Sequence, residues 1–261
     1  MPASFIDGLA LGLAALLPLP STGRTELNVM ISGGFSLAYR EVLPEFQLTT
    51  GIVVATTSAA SQGTGSNTMK AQLERGVRPD VVILSREGLS ELIAAGRIVS
   101  GTDVNLASVP IGMAVRLGQP TPDVETLDAF KRTLLNARLI AMPGSTSGIF
   151  LLNDVLPRLG IADTVSVKVG GRGTDATAMV ATGEADIVLA PVSELVNVPG
   201  IAFVGRIPEE VQLIQVFAAA IVAGSDRREE AKRLIEFLAS GRTAAAIEKF
   251  GMAPLGNRHA G

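Results

Sequence analysis

Five stretches of this 261-residue chain gather the residue types that bind small anions. They are Ser32-Gly33-Gly34-Phe35-Ser36, Ser58-Ala59-Ala60-Ser61-Gln62-Gly63-Thr64-Gly65-Ser66-Asn67, Ser85-Arg86-Glu87, Pro143-Gly144-Ser145-Thr146-Ser147-Gly148 and Gly170-Gly171-Arg172-Gly173-Thr174-Asp175. Glycine lets a ligand approach the backbone N–H closely, Ser and Thr offer hydroxyl donors, and the guanidiniums of Arg86 and Arg172 hold carboxylates or oxyanions with paired hydrogen bonds. Any one such stretch is ordinary turn or helix-cap chemistry; five together point to a site. None is a phosphate loop, because GxxxxGK[ST] is absent and SGGFS is not GxGxxG. Arg172, flanked by glycines, is the more pointed of the two cations. Proton transfer would need a base, and the carboxylates within these stretches are Glu87 and Asp175, with an activated Ser61 or Ser147 as a weaker choice. Both carboxylates also suit the first turn of a helix, where negative charge is stabilised.

Positioning these stretches requires strands that end just before them. From Leu27 onward, short β-branched runs alternate with segments of helical period, the pattern of parallel sheets covered by helices, so the fold class is α/β. Strands are expected over 27–32, 52–57, 80–84, 111–116, 139–142, 165–169, 186–190 and 216–222. Helices are expected over 36–46, 68–75, 88–95, 147–159, 174–182 and 229–238. The five stretches then follow the first, second, third, fifth and sixth strands, at the carboxyl ends where an open α/β sheet binds its ligand. Two helix-to-strand units, one ending in Arg78-Pro79-Asp80 and one in Gly183–Pro191, lie either side of the turn-rich Gly118-Gln119-Pro120-Thr121-Pro122. This spacing predicts two lobes, residues 25–108 plus 215–261 and residues 109–214, with the apolar run after Pro208 passing between them.

Composition removes other functions. With 22 Lys and Arg against 25 Asp and Glu the formal charge is -3, so no cationic field awaits a phosphate backbone and no nucleic acid partner is expected. Aromatics are 4% of the chain with no Trp, which leaves few stacking platforms for bases. Without Cys there is no thiolate metal site or cysteine nucleophile, and the single His, His259, is two residues from the end, so neither a metal nor a cofactor is expected. Residues 1–24 hold an apolar run from Leu9 to Leu17, shorter than the ~20 residues that span a bilayer. They read as a signal peptide, although no Lys or Arg precedes Arg24. The expected location is therefore the periplasm, or the cytoplasm if the leader is no signal.

The series LNVMISGGFSLAYREVLPEF, SNTMKAQLERGVRPDVVILSREGLSELIAAGRI, MPGSTSGIFLLNDVLPRLGI and TGEADIVLAPVSEL resembles the periplasmic solute-binding proteins of the molybdate-binding type over nearly all of the mature chain. That resemblance implies a two-lobe periplasmic-binding-protein fold of type II, with mostly parallel mixed sheets and a hinge. It implies closure on a small anion and delivery of it to an ABC permease in the membrane, by a protein expected to be a monomer. It places ligand contacts at Gly33 and Gly34, at Ser61, Thr64, Gly65 and Ser66, and in the opposite lobe at Ser147 and the Thr174–Asp175 region. Ser85, Arg86, Thr146 and Arg172 join them as expected ligand residues. Molybdate binders carry a Ser-Ser pair where this chain has Gly33-Gly34, a Tyr where it has Pro191, and an uncharged site. The GGF opening and the STSG turn look more like a divergent branch that includes aconitate isomerase, which interconverts cis- and trans-aconitate, and a tricarboxylate would give the arginines a role. Two functions therefore stand side by side: capture of a small carboxylate or oxyanion for a transporter, and allylic proton transfer on such a ligand, with Glu87 or Asp175 as the base.

Overall fold

The computed structural model describes residues 26–256; the leader and His259 lie outside the described residues. In chain order the elements are β1 (Leu27–Ile31), α1 (Gly33–Thr50), β2 (Val54–Ser58), α2 (Met69–Glu74), β3 (Val81–Ser85), α3 (Arg86–Ala94) and β4 (Val104–Arg116). Then come α4 (Leu127–Asn136), β5 (Ile140–Pro143), α5 (Thr146–Phe150), a turn of π-helix (Leu151–Val155), α6 (Leu156–Arg158), β6 (Val167–Gly170), α7 (Gly173–Ala181) and β7 (Ile187–Pro191). The chain ends with β8 (Ile201–Arg206), β9 (Ile214–Ile221), α8 (Arg228–Leu238), α9 (Ala244–Lys249) and β10 (Ala253–Pro254).

The strands form two half-sheets that share β4. Its first half pairs antiparallel with β9 and β10, and β9 in turn borders the parallel set β3, β1 and β2. Its second half, from Ile111, lies between β8 and β7, and β7 continues into the parallel strands β5 and β6. Pro110, which has no N–H to give to a ladder, sits where β4 passes from one half to the other. Each half-sheet buries apolar residues on both faces, as parallel strands under helices must. In the first, Leu27, Val29 and Ile31 face α1 and α8 while Met30, Val82 and Leu84 face α2 and α3. In the second, Ile140 and Met142 face Phe130 and Leu134 of α4 while Ala141 and Val188 face Ala176 and Val180 of α7. The α/β class and the two-lobe architecture expected from the sequence are those observed.

Strand β8, helix α9 and the short β10 have no counterpart among the expected elements, and three others differ in ways that bear on the fold. The strand expected over 111–116 begins at Val104, because Asn105 and Ser108 interrupt its apolar run at positions facing away from the core. Helix α4 has no counterpart among the expected helices, although Thr126 accepts a hydrogen bond from the Ala129 N–H at 3.1 Å and Asp128 occupies the first turn, an N-cap signature within TLDAF. The helix expected over 147–159 is continuous but widened in its middle, where Leu151–Val155 takes π geometry. Among the described residues no helix is long and apolar enough to cross a membrane.

Candidate functional site

The carboxyl ends of β1, β2, β5, β6 and β7 and the amino end of β9 meet in one cleft between the lobes. With the lobes as they stand, the enclosed space is about 20 Å³, room for little more than one water, so a larger ligand enters only if the lobes part. Helix α1 enters at Gly33 and Gly34, and its N-cap Ser32 is extended with no side-chain capping bond. Gly34 must be glycine for a packing reason: a Cβ there would drive into the Phe217 ring, which stacks beside Phe35 with centroids 6.4 Å apart. Across the cleft, α5 opens after Ser145 and α7 opens after Arg172. The N-termini of α1 and α7 therefore point unsatisfied N–H groups at shared space, each carrying about half a positive charge. Arg172 lines the same space with its side chain 43% exposed. The cleft is built for negative charge.

One cleft residue opposes that field. Glu194, in the short 3₁₀ turn after β7, sets its carboxyl between Gly33 and Gly173, at the entrances of α1 and α7, where a Cβ on either glycine would overlap it. The surface it leaves uncovered faces the cleft, and protein surrounds it closely enough that lost hydration pushes its carboxyl up to about 7. The helix termini favour its ionised form, so desolvation is the larger effect. A carboxyl poised near neutrality can take a proton from a ligand carbon and return it. Glu194 is absent from the residues expected from sequence, yet it follows β7 by the same strand-end rule that marked the others.

A directed chain of hydrogen bonds closes the lobes beside this site. The Gly88 N–H donates to Ser85 Oγ at 3.2 Å, and Ser85 Oγ meets Thr146 Oγ1 of the opposite lobe at 2.7 Å. Thr146 Oγ1 donates to Gln62 Oε1 at 2.8 Å, and Gln62 Nε2 donates to Glu91 Oε1 at 2.5 Å. Gln62 Oε1 only accepts, so Thr146 spends its proton there and Ser85 supplies the proton of the bond between the hydroxyls. Ser85 and Thr146 are both buried and bridge lobes rather than line the cleft.

Of the expected site residues, the structure brings Gly33, Gly34, Ser61, Ser147 and Arg172 to the cleft. Ser61 is held by the Ser85 N–H, which donates to its Oγ at 3.0 Å. Thr64, Gly65 and Ser66 lie in an exposed turn outside it, where the Ser66 carbonyl accepts from Arg75 at 2.6 Å. Arg86 turns away, paired with Asp103 at 2.7 Å and bonded to Asn105, so it fixes the start of α3 against β4. Thr174 is exposed on α7. Neither expected base faces the cleft: Glu87 is exposed in the first turn of α3, and Asp175 accepts the Arg172 N–H at 3.0 Å as the N3 carboxylate of α7. Both carboxylates serve helix ends, the structural role their positions also allowed.

A cleft between two α/β lobes, lined by helix termini and one guanidinium, defines a solute-binding protein, and residues 27–253 match the family model described as bacterial extracellular solute-binding protein. The chain belongs to that family, and a substrate-binding role comes with membership. Within it, the chain is 36% identical to the aconitate isomerase of a Pseudomonas species over 251 residues, covering 95% of this chain and 96% of that one. Among solved structures it resembles the periplasmic molybdate-binding protein of Azotobacter vinelandii (TM-score 0.68, 17% identity, 87% of this chain and 99% of that one). It also resembles the sulfate-binding protein SubI of Mycobacterium tuberculosis (TM-score 0.70, 19% identity, 88% and 87%). These structural likenesses establish the fold.

Proposed function

We propose that this protein binds a small unsaturated polycarboxylic acid of the aconitate type between its lobes and moves a proton across the allylic system, with Glu194 as the acid–base group. The observation that carries this reading is the Glu194 carboxyl, pushed up to about 7 at the centre of an otherwise anion-binding cleft. A pure anion receptor could use such a group only in its protonated form, as one more hydrogen-bond donor. An isomerase needs a carboxylate there.

In the proposed reaction the ionised Glu194 removes a proton from the methylene carbon that lies between a carboxylate and the double bond. The electron pair moves into a new C=C, the old π bond shifts toward the second carboxylate, and negative charge spreads over an extended dienolate. Arg172, Ser147 and the N–H groups at the start of α1 and α7 stabilise that charge. Glu194 then gives its proton to the former vinylic carbon, so the double bond has moved and protons balance. The 36% identity to an aconitate isomerase over nearly the whole chain supports the substrate class.

Membership of the solute-binding family supports a second reading, in which a periplasmic protein captures the same anion and passes it to an ABC permease. Proton NMR of cis-aconitate in D₂O with the protein decides between them. Interconversion with deuterium incorporation, lost in Glu194→Gln by roughly 10²–10⁴-fold, is expected. A higher melting temperature on aconitate addition without any interconversion would leave transport binding as the function.

A further inference from the structure

Among the described residues, two polar atoms in the cleft wall have no partner and no access to solvent: Ser32 Oγ and Gln215 Oε1. Their residues are 4% and 3% exposed. Gln215 is marked by neither the glycine-rich stretches nor any strand end, because it sits at the beginning of a strand. Since β9 runs antiparallel to β3, with Phe217 opposite Ser85, its first residues lie at the edge where β1 and β3 end. Gln215 and Phe217 point to the same side of β9, and Phe217 packs against Gly34. The Gln215 amide is thereby brought to the wall of the cleft at the start of α1. An 18-residue helix ends here with free N–H groups and an N-cap hydroxyl that caps nothing.

A buried amide oxygen without a partner costs ~1–3 kcal/mol, and an apolar side chain of the same length would fill the space without that cost. Retaining glutamine is explained if a ligand completes its hydrogen bonds. We propose that Gln215 and Ser32, with the N-terminus of α1, form a carboxylate-binding subsite on the first lobe, opposite Arg172. The Ser32 hydroxyl donates to the carboxylate, and a half-turn of the Gln215 amide presents its NH₂ in the space its oxygen occupies. One carboxylate of the ligand is then held by neutral dipoles and another by a guanidinium, with Glu194 between them. This selects molecules with at least two carboxylates spaced across the cleft, and Gln215 becomes a specificity-determining residue. The inference rests on the polycarboxylate reading above but not on catalysis.

The test uses tricarballylate, a saturated tricarboxylate that has no double bond to move, and glutarate, which lacks its central carboxyl, titrated calorimetrically into wild type, Gln215→Met and Ser32→Ala. A hydrogen bond to a charged group is worth roughly tenfold or more in affinity, so both variants should bind tricarballylate about tenfold more weakly. Glutarate, which keeps two carboxylates, should weaken by a similar factor in Gln215→Met, whose melting temperature should equal or exceed that of wild type. The proposal is overturned if both variants bind tricarballylate as tightly as wild type, or if wild type does not bind it. It is also overturned if Gln215→Met melts lower with its affinity for both acids intact, since Gln215 would then be a structural amide. If the variants lose binding while wild type never interconverts the aconitates, the subsite stands and the isomerase reading fails.

Discussion

Replacing Glu194 by Gln should make the empty protein more stable while removing the proposed isomerase activity, and the gain should depend on pH. Glu194 ionises near 4.5 in an unfolded chain and near 7 in the folded one. Below pH 4.5 it is protonated in both states, and it costs folding nothing. Between 4.5 and 7 the unfolded chain gives up the proton that the folded chain keeps, so stability falls as pH rises, and above 7 the loss is complete. Each tenfold change in proton affinity is worth ~1.4 kcal/mol, so the full loss is on the order of 3 kcal/mol. The carboxyl opens toward cleft water, so about 2 kcal/mol is the fairer expectation. For a chain of this size that is roughly 4–8 °C in melting temperature. Gln has the shape of the protonated acid and no charge to bury. The assay is a series of thermal melts of both proteins from pH 4.5 to 8.5 without ligand. Glu194→Gln should match wild type at the acid end and melt several degrees higher at the alkaline end. Parallel melting curves across the whole range would mean that Glu194 is hydrated like a surface carboxylate, and the acid–base assignment would fail with it.

Thr146→Val deletes the hydroxyl that joins the lobes and leaves Ser85 and Gln62 without their partner, so the closed form should lose ~1–3 kcal/mol. Small-angle scattering should report a larger radius of gyration and titration a weaker ligand affinity, both restored in Thr146→Ser; equal behaviour of the two variants would remove the hydroxyl from closure. Arg172→Lys should weaken polycarboxylate binding by about tenfold, because an ammonium cannot make the paired contact of a guanidinium. Unchanged affinity in that variant would place Arg172 outside the ligand's reach. Gly173→Ala puts a methyl where the Glu194 carboxyl lies, so aconitate turnover should fall well below wild type while circular dichroism stays native; wild-type turnover would show that the carboxyl works from another position.

The pattern of β-branched runs and helical segments carried the fold, because burial on both faces of a parallel sheet leaves a trace in composition that survives errors of a few residues at each boundary. It hid β8 and the first half of β4, whose apolar positions are diluted by residues facing away from the core. The site was legible where a strand end feeds a helix directly, as at Ser32-Gly33-Gly34, Ser147 and Arg172. The same signal also marks Thr64-Gly65-Ser66, which builds an exposed turn outside the cleft, and Arg86, whose partner Asp103 lies further along the chain. Glu194 stands in Pro191-Val192-Ser193-Glu194-Leu195, which reads as a plain turn until β7 is seen to end at the cleft. Gln215 had no local signal, since only the antiparallel crossing of β9 brings the start of a strand to the edge where the others finish.

The same cleft must hold an anion and keep a carboxyl poised, and these demands oppose each other. The helix termini favour the ionised form of Glu194, while burial pushes its carboxyl up to about 7. Because desolvation wins in the empty protein, the termini are not spent on Glu194 and remain available to the incoming carboxylates. A bound polycarboxylate adds negative charge beside Glu194 and raises its proton affinity further, so binding and proton uptake are coupled. In the proposed reaction it is the remaining ionised fraction of Glu194, a stronger base for that rise, that would act on the carbon acid, with Arg172 and the helix termini stabilising the developing charge. A receptor scaffold needs little more than this to become an isomerase. On the proposed reading the cleft supplies the stabilising groups, and a single acidic side chain in the turn after β7, placed deep enough to hold its proton near neutrality, supplies the transfer.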